Sequence, residues 1–223
     1  TGAGNIYSAD TLCVGLTGQK EDQFVRIDSG ATLDAGVIAL GRGTSNSIEV
    51  KDGKLHAILI EGAPGQTKEA KNDRVVLGDG KGGSGELIVG AITGVDSIEQ
   101  DGGSWAYGVK GADDPKVRQS LIDSGRRSAE ELDEMGLFPA LSGYGTAEVA
   151  SVEIAGRDRK KRELQRAAFT SITGDQDQPL RVVNDGAELV VVEGIHGNAS
   201  LQTSGQTLLM GESTYTGETT ISS

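Results

Sequence analysis

From Ile6 to about Tyr107, short apolar runs alternate with glycine, aspartate, asparagine and serine. Examples are Phe24-Val25-Arg26-Ile27, Gly36-Val37-Ile38-Ala39-Leu40, Ser47-Ile48-Glu49-Val50, Leu55-His56-Ala57-Ile58-Leu59-Ile60, Arg74-Val75-Val76-Leu77 and Glu86-Leu87-Ile88-Val89. Runs this short, bounded by turn residues, predict strands. None is followed by the ten or more residues of helical periodicity that a βαβ unit needs, which argues against a doubly wound sheet. The same rhythm resumes after Ser171, in Leu180-Arg181-Val182-Val183, Glu188-Leu189-Val190-Val191-Val192, Ser200-Leu201-Gln202, Thr207-Leu208-Leu209-Met210 and Thr219-Thr220-Ile221. The chain stops while still reading as strand, the expectation for a segment cut from a longer coil.

The strands return at similar spacing with small residues between them. A two-sheet sandwich wants bulky residues bridging its layers, whereas stacked coils are filled by ladders of Val, Ile, Leu and Ala. The expected fold is therefore all-β, a parallel β-solenoid over residues 1–112 and 170–223. Between them, 113–169 reads as a mainly helical insertion. Asp114-Pro115 opens one helix, with Val117, Leu121 and Ile122 on one face and an end near Gly125. Ser128-Ala129-Glu130-Glu131 is a capping box for a second helix ending near Gly136. Arg157 to Phe169 supplies a third, with Leu164, Ala168 and Phe169 as a thin apolar side.

Composition narrows the function. Of 223 residues 34 are glycine, 4 are proline and 4% are aromatic, so the glycines serve turns in an ordered fold. The formal charge of −12 disfavours nucleic acid and anionic membranes as partners. A single cysteine, Cys13, permits no internal disulfide and no multi-thiolate metal site. No apolar stretch is long enough to span a membrane, and the first residues carry no secretion signal; an exported parent would carry one upstream.

Sharper motifs compete with plainer ones. Asp28-Ser29-Gly30 and Asp123-Ser124-Gly125 repeat an aspartic-protease triplet, but Asp123 falls at a predicted helix end beside Arg126 and Arg127, so turns are the better reading. Gly78-Asp79-Gly80-Lys81-Gly82-Gly83 fits G-x-G-x-x-G, yet a strand follows it where a pyrophosphate site needs a helix N-terminus. Asn72-Asp73 and the later glycines are one imperfect copy of a calcium nonapeptide without its tandem register. His56 and His196 lie apart from a second ligand, and Ser29, Ser84 and Ser104 lack a nucleophile elbow. No catalytic, metal or cofactor residue is therefore expected. The basic run Arg157, Arg159, Lys160, Lys161, Arg162 and Arg166 is the candidate interaction surface; a solvated face paired with Glu130, Glu131, Asp133 and Glu134 is the plainer reading.

The stretch Gly205 to Ile221 resembles the membrane-proximal repeat of autotransporter passenger domains. Its rhythm there is G-x-L-x-L-x-G-x-N-x-Y-x-G-x-T-x-I, matched at Leu208, Gly211, Tyr215, Thr216, Gly217, Thr219, Thr220 and Ile221, with departures at Ser213-Thr214 and Glu218. A looser resemblance runs from Asn72-Asp73-Arg74 through Val95-Asp96-Ser97-Ile98 to the Gly103-Ser104-Trp105 turn, and Ser29-Gly30-Ala31-Thr32-Leu33 also suits a passenger rung. The resemblance implies a right-handed parallel β-helix, exported through the outer membrane of a Gram-negative bacterium to the cell surface and followed by a β-barrel translocator in the same parent chain. It implies C-terminal rungs that aid passenger folding.

The expected function is a non-catalytic, secreted adhesin or virulence surface that meets a host or bacterial surface protein or glycan. Two alternatives stand beside it. One is a β-helix carbohydrate-active enzyme, a lyase or tailspike-like hydrolase, for which two or three acids must converge within about 5 to 9 Å. The other is a purely structural spacer.

Overall fold

The computed structural model describes residues 5–15, 22–41, 45–62, 72–78, 85–100, 106–107, 146–155, 166–174 and 179–222. These residues are all-β and contain no helix. Fifteen strands form one large parallel sheet. They are β1 (Ile6–Val14), β2 (Gln23–Ile27), β3 (Thr32–Leu40), β4 (Asn46–Val50), β5 (Lys54–Gly62), β6 (Arg74–Leu77), β7 (Glu86–Gln100), β8 (Ala106–Tyr107), β9 (Thr146–Ala155), β10 (Arg166–Gly174), β11 (Leu180–Asp185), β12 (Glu188–His196), β13 (Ala199–Thr203), β14 (Gln206–Leu209) and β15 (Thr219–Ile221).

The pairing register sorts these strands into three columns. The chain contributes to each column in turn during passages that begin at Ile6, Thr32, Lys54, Glu86, Ala106, Arg166, Glu188 and Gln206. The first halves of β1, β3, β5, β7, β10 and β12 lie in the first column with β8 and β14, and the second halves of those six strands in the second column with the start of β9. The third column runs β2, β4, β6, the end of β7, the end of β9, β11, β13 and β15.

Every pairing is parallel, so like positions fall on like positions and side chains form ladders. In the second column Leu12, Ile38, Ile60, Ile92, Ala147, Ile172 and Ile195 are successive partners. Ile38, Ile60, Ile92 and Ile172 are wholly buried. In the third, Val25, Ile48, Val75, Ile98, Val152, Val182 and Leu201 stack in the same way. β-branched residues suit this pleated, buried surface, and each full burial contributes about 1.5–3 kcal/mol. Phe169 is the one aromatic side chain in the buried core among the described residues. Gly94 (φ +63°) sits at a register shift between Thr93 and Val95, where β7 turns from the second column into the third. A Cβ on Gly62, directly below, would overlap the Gly94 carbonyl.

The helical expectation fails wherever it can be compared. Arg166–Gly174, which overlaps the end of the expected third helix, is strand, and so is Thr146–Ala155. The reason is alternation: Ala167 and Phe169 face the core one residue apart, as do Val152 and Ile154, and pairing satisfies the backbone. The stack thus continues through both segments. The two earlier helices, at 113–125 and 128–136, lie outside the described residues.

Candidate interaction surface

In the third-column segments from β4 to β13, the residues that alternate with the aliphatic ladder lie on the side away from it. One outward row is Ser47, Arg74, Ser97, Ser151, Arg181 and Ser200; the other is Glu49, Val76, Glu99, Glu153, Val183 and Gln202. Two blocks of three passages therefore carry one rhythm. S-x-E, R-x-V, S-x-E over β4, β6 and the end of β7 is followed by S-x-E, R-x-V, S-x-Q over β9, β11 and β13.

Cross-passage ion pairs join these residues. Arg26 Nη2 lies 2.8 Å from Glu49 Oε2, and Lys51 Nζ lies 3.3 Å from the same oxygen. Arg74 is 3.8 Å from Glu99, whose Oε1 accepts a hydrogen bond from Ser97 Oγ at 2.9 Å. Arg181 Nη1 donates to Glu153 Oε1 at 2.9 Å. Glu99 and Glu153 are direct register partners, so the junction of the two blocks stacks two like charges. Partial burial pushes the Glu49 carboxyl up, but hydrogen bonds from Arg26 and Lys51 outweigh it and hold the group below the ordinary glutamate range.

The corners of the stack carry buried polar groups. Where the second column meets the third, Asn46 and Asp73 are fully buried. Asp73 Oδ1 accepts hydrogen bonds from Asn46 N and Nδ2, both at 2.9 Å, while Asp73 N donates to Asp96 Oδ2 at 2.7 Å. Asp73 Oδ2 and Asn46 Oδ1 are buried without a hydrogen-bond partner. At the corner between third and first columns, Asn184 is buried and fully engaged. It donates to Ala187 O, Gln206 O and Thr207 Oγ1 and accepts from Ala187 N at 2.8 Å. At the beginning of the stack a cavity of about 300 Å³ opens, lined by Tyr7, Leu12, Val25, Ile27, Ala31 and Leu33 among others.

The sequence candidates distribute as follows. Arg157, Arg159, Lys160, Lys161 and Arg162 lie outside the described residues, between β9 and β10, and Arg166 is the first residue of β10. Trp105 is also outside them. The resemblance motif has clear structural roles: Cβ atoms on Gly211 and Gly217 would overlap backbone of Glu193 and Ala199, Tyr215 packs partly on the core, and its hydroxyl meets Thr219 Oγ1 at 2.6 Å. Thr216 N bonds to Gly197 O at 3.2 Å, Thr219 pairs with Leu201 and Ile221 with Thr203, although Ile221 remains 80% exposed. Asp28, Ser29 and Gly30 make a turn with positive φ at Ser29 and Gly30. His56 Nδ1 lies 2.8 Å from Asp34 Oδ1, and His196 Nδ1 is 3.0 Å from Thr214 Oγ1. Among the described residues no three acids, histidines or cysteines are placed to hold a metal ion.

The outward rows were missed in the sequence because Ser151-Val152-Glu153-Ile154 lay within the expected helical insertion. Its near identity to Ser47-Ile48-Glu49-Val50 and Ser97-Ile98-Glu99 is the signal that a search for internal repeats would have found. No protein-family model, curated protein or solved structure matches this chain.

Proposed function

We propose that this chain is a right-handed parallel β-helix segment acting as a secreted, cell-surface interaction scaffold, without catalysis of its own, in the manner of an autotransporter passenger. The observation that carries the reading is the three-column register: each passage of chain stacks on the last, and outward side chains line up in long rows on a regular backbone. Such a frame presents an extended surface at little entropic cost on binding. Ladders of aliphatic residues need neither disulfides nor metals, which suits a chain threaded unfolded through a pore. The motif from Gly205 to Ile221 supports membrane-proximal rungs, with the β-barrel translocator beyond, because its glycines and Tyr215 serve the last turns of the stack.

Two contact elements are proposed: the third-column rows and the basic run 157–162 between β9 and β10. The test is a binding screen of the whole chain against surface glycans and matrix proteins, with scattering to measure its length. Seven steps of about 4.8 Å predict roughly 34 Å along the stack. A flattened two-layer particle, or no partner of either class, overturns the reading.

A second reading rests on Glu99 and Glu153. As register partners on neighbouring parallel strands about 4.8 Å apart, they put two carboxylates side by side on the same face, the pairing that glycoside chemistry uses. Release of reducing ends from a polysaccharide panel, lost in Glu99→Gln and Glu153→Gln, would establish it; inertness of the unmodified chain removes it.

A further inference from the structure

We propose that Arg74 and Arg181 of one outward row, with Glu99 and Glu153 of the row beside it, bind a neutral, hydroxyl-rich linear glycan laid along the stack axis; this rests on the interaction-scaffold reading and names its ligand class.

The four residues occupy successive passages of the third column, two of them through Glu99↔Glu153 register and the outer two one passage beyond on either side. The arginines are three steps apart, about 14 Å. The spacing is built in twice, since Ser47 and Ser151, and Glu49 and Glu153, are also three passages apart. A surface with a repeat along a straight axis is matched by a ligand with a repeat along its own. Straight polymers of sugars have that property, and globular protein partners without internal repeats do not.

The chemistry of the four residues points the same way. Two arginines balance two glutamates, so they have no net charge, while the chain as a whole carries −12 and repels polyanions. Each ion pair leaves polar atoms of its members open to solvent. Arg181 uses one N–H on Glu153, and the two side chains stay 58% and 49% exposed. Arg74 and Glu99 are 34% and 36% exposed. The four residues therefore offer pre-oriented N–H donors and carboxylate acceptors side by side, the pairing that a sugar hydroxyl, at once donor and acceptor, satisfies. A protein hot spot would instead need a bulky apolar or aromatic anchor, and from Arg74 to Arg181 the two rows hold only Val76 and Val183, the exposed Phe24 lying two passages before Arg74.

The experiment is affinity electrophoresis of the whole chain through gels containing neutral linear polysaccharides, repeated with Glu153→Gln/Arg181→Gln and with Asp34→Asn/His56→Gln on another face. Circular dichroism checks that each variant is folded. At least one neutral polysaccharide should retard the chain. Retardation should survive high salt and be unaffected by the Asp34/His56 change. The Glu153/Arg181 change should weaken it about tenfold or more, the loss expected from hydrogen bonds to charged groups. Equal retardation of both variants overturns the proposal while leaving the scaffold reading intact. So does binding confined to acidic glycans or to a protein. Binding of nothing at all removes both.

Discussion

The two three-passage blocks share an outward rhythm but differ in what lies around it. In the first block the serines are buried, Ser47 at 6% and Ser97 at 8% exposure, and the Glu49 side chain is only 16% exposed. In the second block Glu153 and Arg181 stand out in solvent. The polar groups at the segment ends are also distributed differently. The first block places Asn46, Asp73 and Asp96 at the start of its third-column segments, where the second block has Ala150, Leu180 and Ala199. At the other end of the segments the first block has Val50, Leu77 and the buried Gln100, and the second has Ile154, Asn184 and Thr203. A repeated surface is thus laid over two unlike interiors, which shows that outer row and corner vary independently once parallel register is set.

The largest test of the contrast is at Asn184. Its side chain ties Ala187 to Gln206 and Thr207 one passage on, and a leucine there leaves the buried Ala187 N without its side-chain acceptor and removes the bonds to Gln206 O and Thr207 Oγ1. Asn184→Leu should lower unfolding free energy in urea by about 3 kcal/mol. A loss below about 1 kcal/mol would show that the corner is not a lock. The opposite sign is expected at Asp73. Its Oδ2 is buried without a hydrogen bond, and an amide costs less to bury than a carboxylate. Because the remaining oxygen can still accept from Asn46, Asp73→Asn should stabilise by about 1 kcal/mol, read as a higher thermal midpoint at neutral pH. A fall in midpoint would mean that the carboxylate charge is needed.

Much of this frame was legible in the sequence, for a physical reason. Arg74–Leu77 and Thr219–Ile221 were marked to the residue because glycine and polar residues end the runs abruptly. The boundaries of β3 and β7 are not legible, since Gly36 and Gly90 interrupt the apolar pattern while the backbone ladder runs on through them, and β5 extends past its apolar run into Lys54 and Glu61. Phe169 was assigned to a helix because local periodicity sees Leu164, Ala168 and Phe169 and not the partner strand that buries Phe169. The Arg-Glu cluster was illegible for a related reason. Its members lie 25, 54 and 28 residues apart in sequence and meet only through register.

A smaller effect should separate the outer rows by pH. Arg26 and Lys51 hold the Glu49 carboxyl below the ordinary glutamate value, so the folded state favours its ionised form. The resulting stability is fully present above the unfolded value, about 4.3, and is lost as pH falls through the lower folded value. Glu49→Gln removes that contribution. The stability difference between the unmodified chain and this variant should be constant from neutral pH to about pH 5 and shrink below about pH 4. A difference that grows toward acid would reverse the sign and sink the assignment.

The smallest effect belongs to Arg181. Its pair with Glu153 is short but more than half exposed on the arginine side, so solvent screens most of the attraction and ordering two long side chains offsets part of the rest. Arg181→Ala should cost no more than about 0.5 kcal/mol. Arg26→Ala should cost more, because Arg26 also holds the better-buried Glu49 and lies 5.1 Å from the Phe24 ring centroid. If the two substitutions cost the same in urea, burial of the outer row is not what distinguishes the blocks. If Arg181→Ala is nearly silent for stability yet abolishes glycan retardation, the exposed Arg181 serves binding, while the covered Arg26–Glu49 pair is a structural seam.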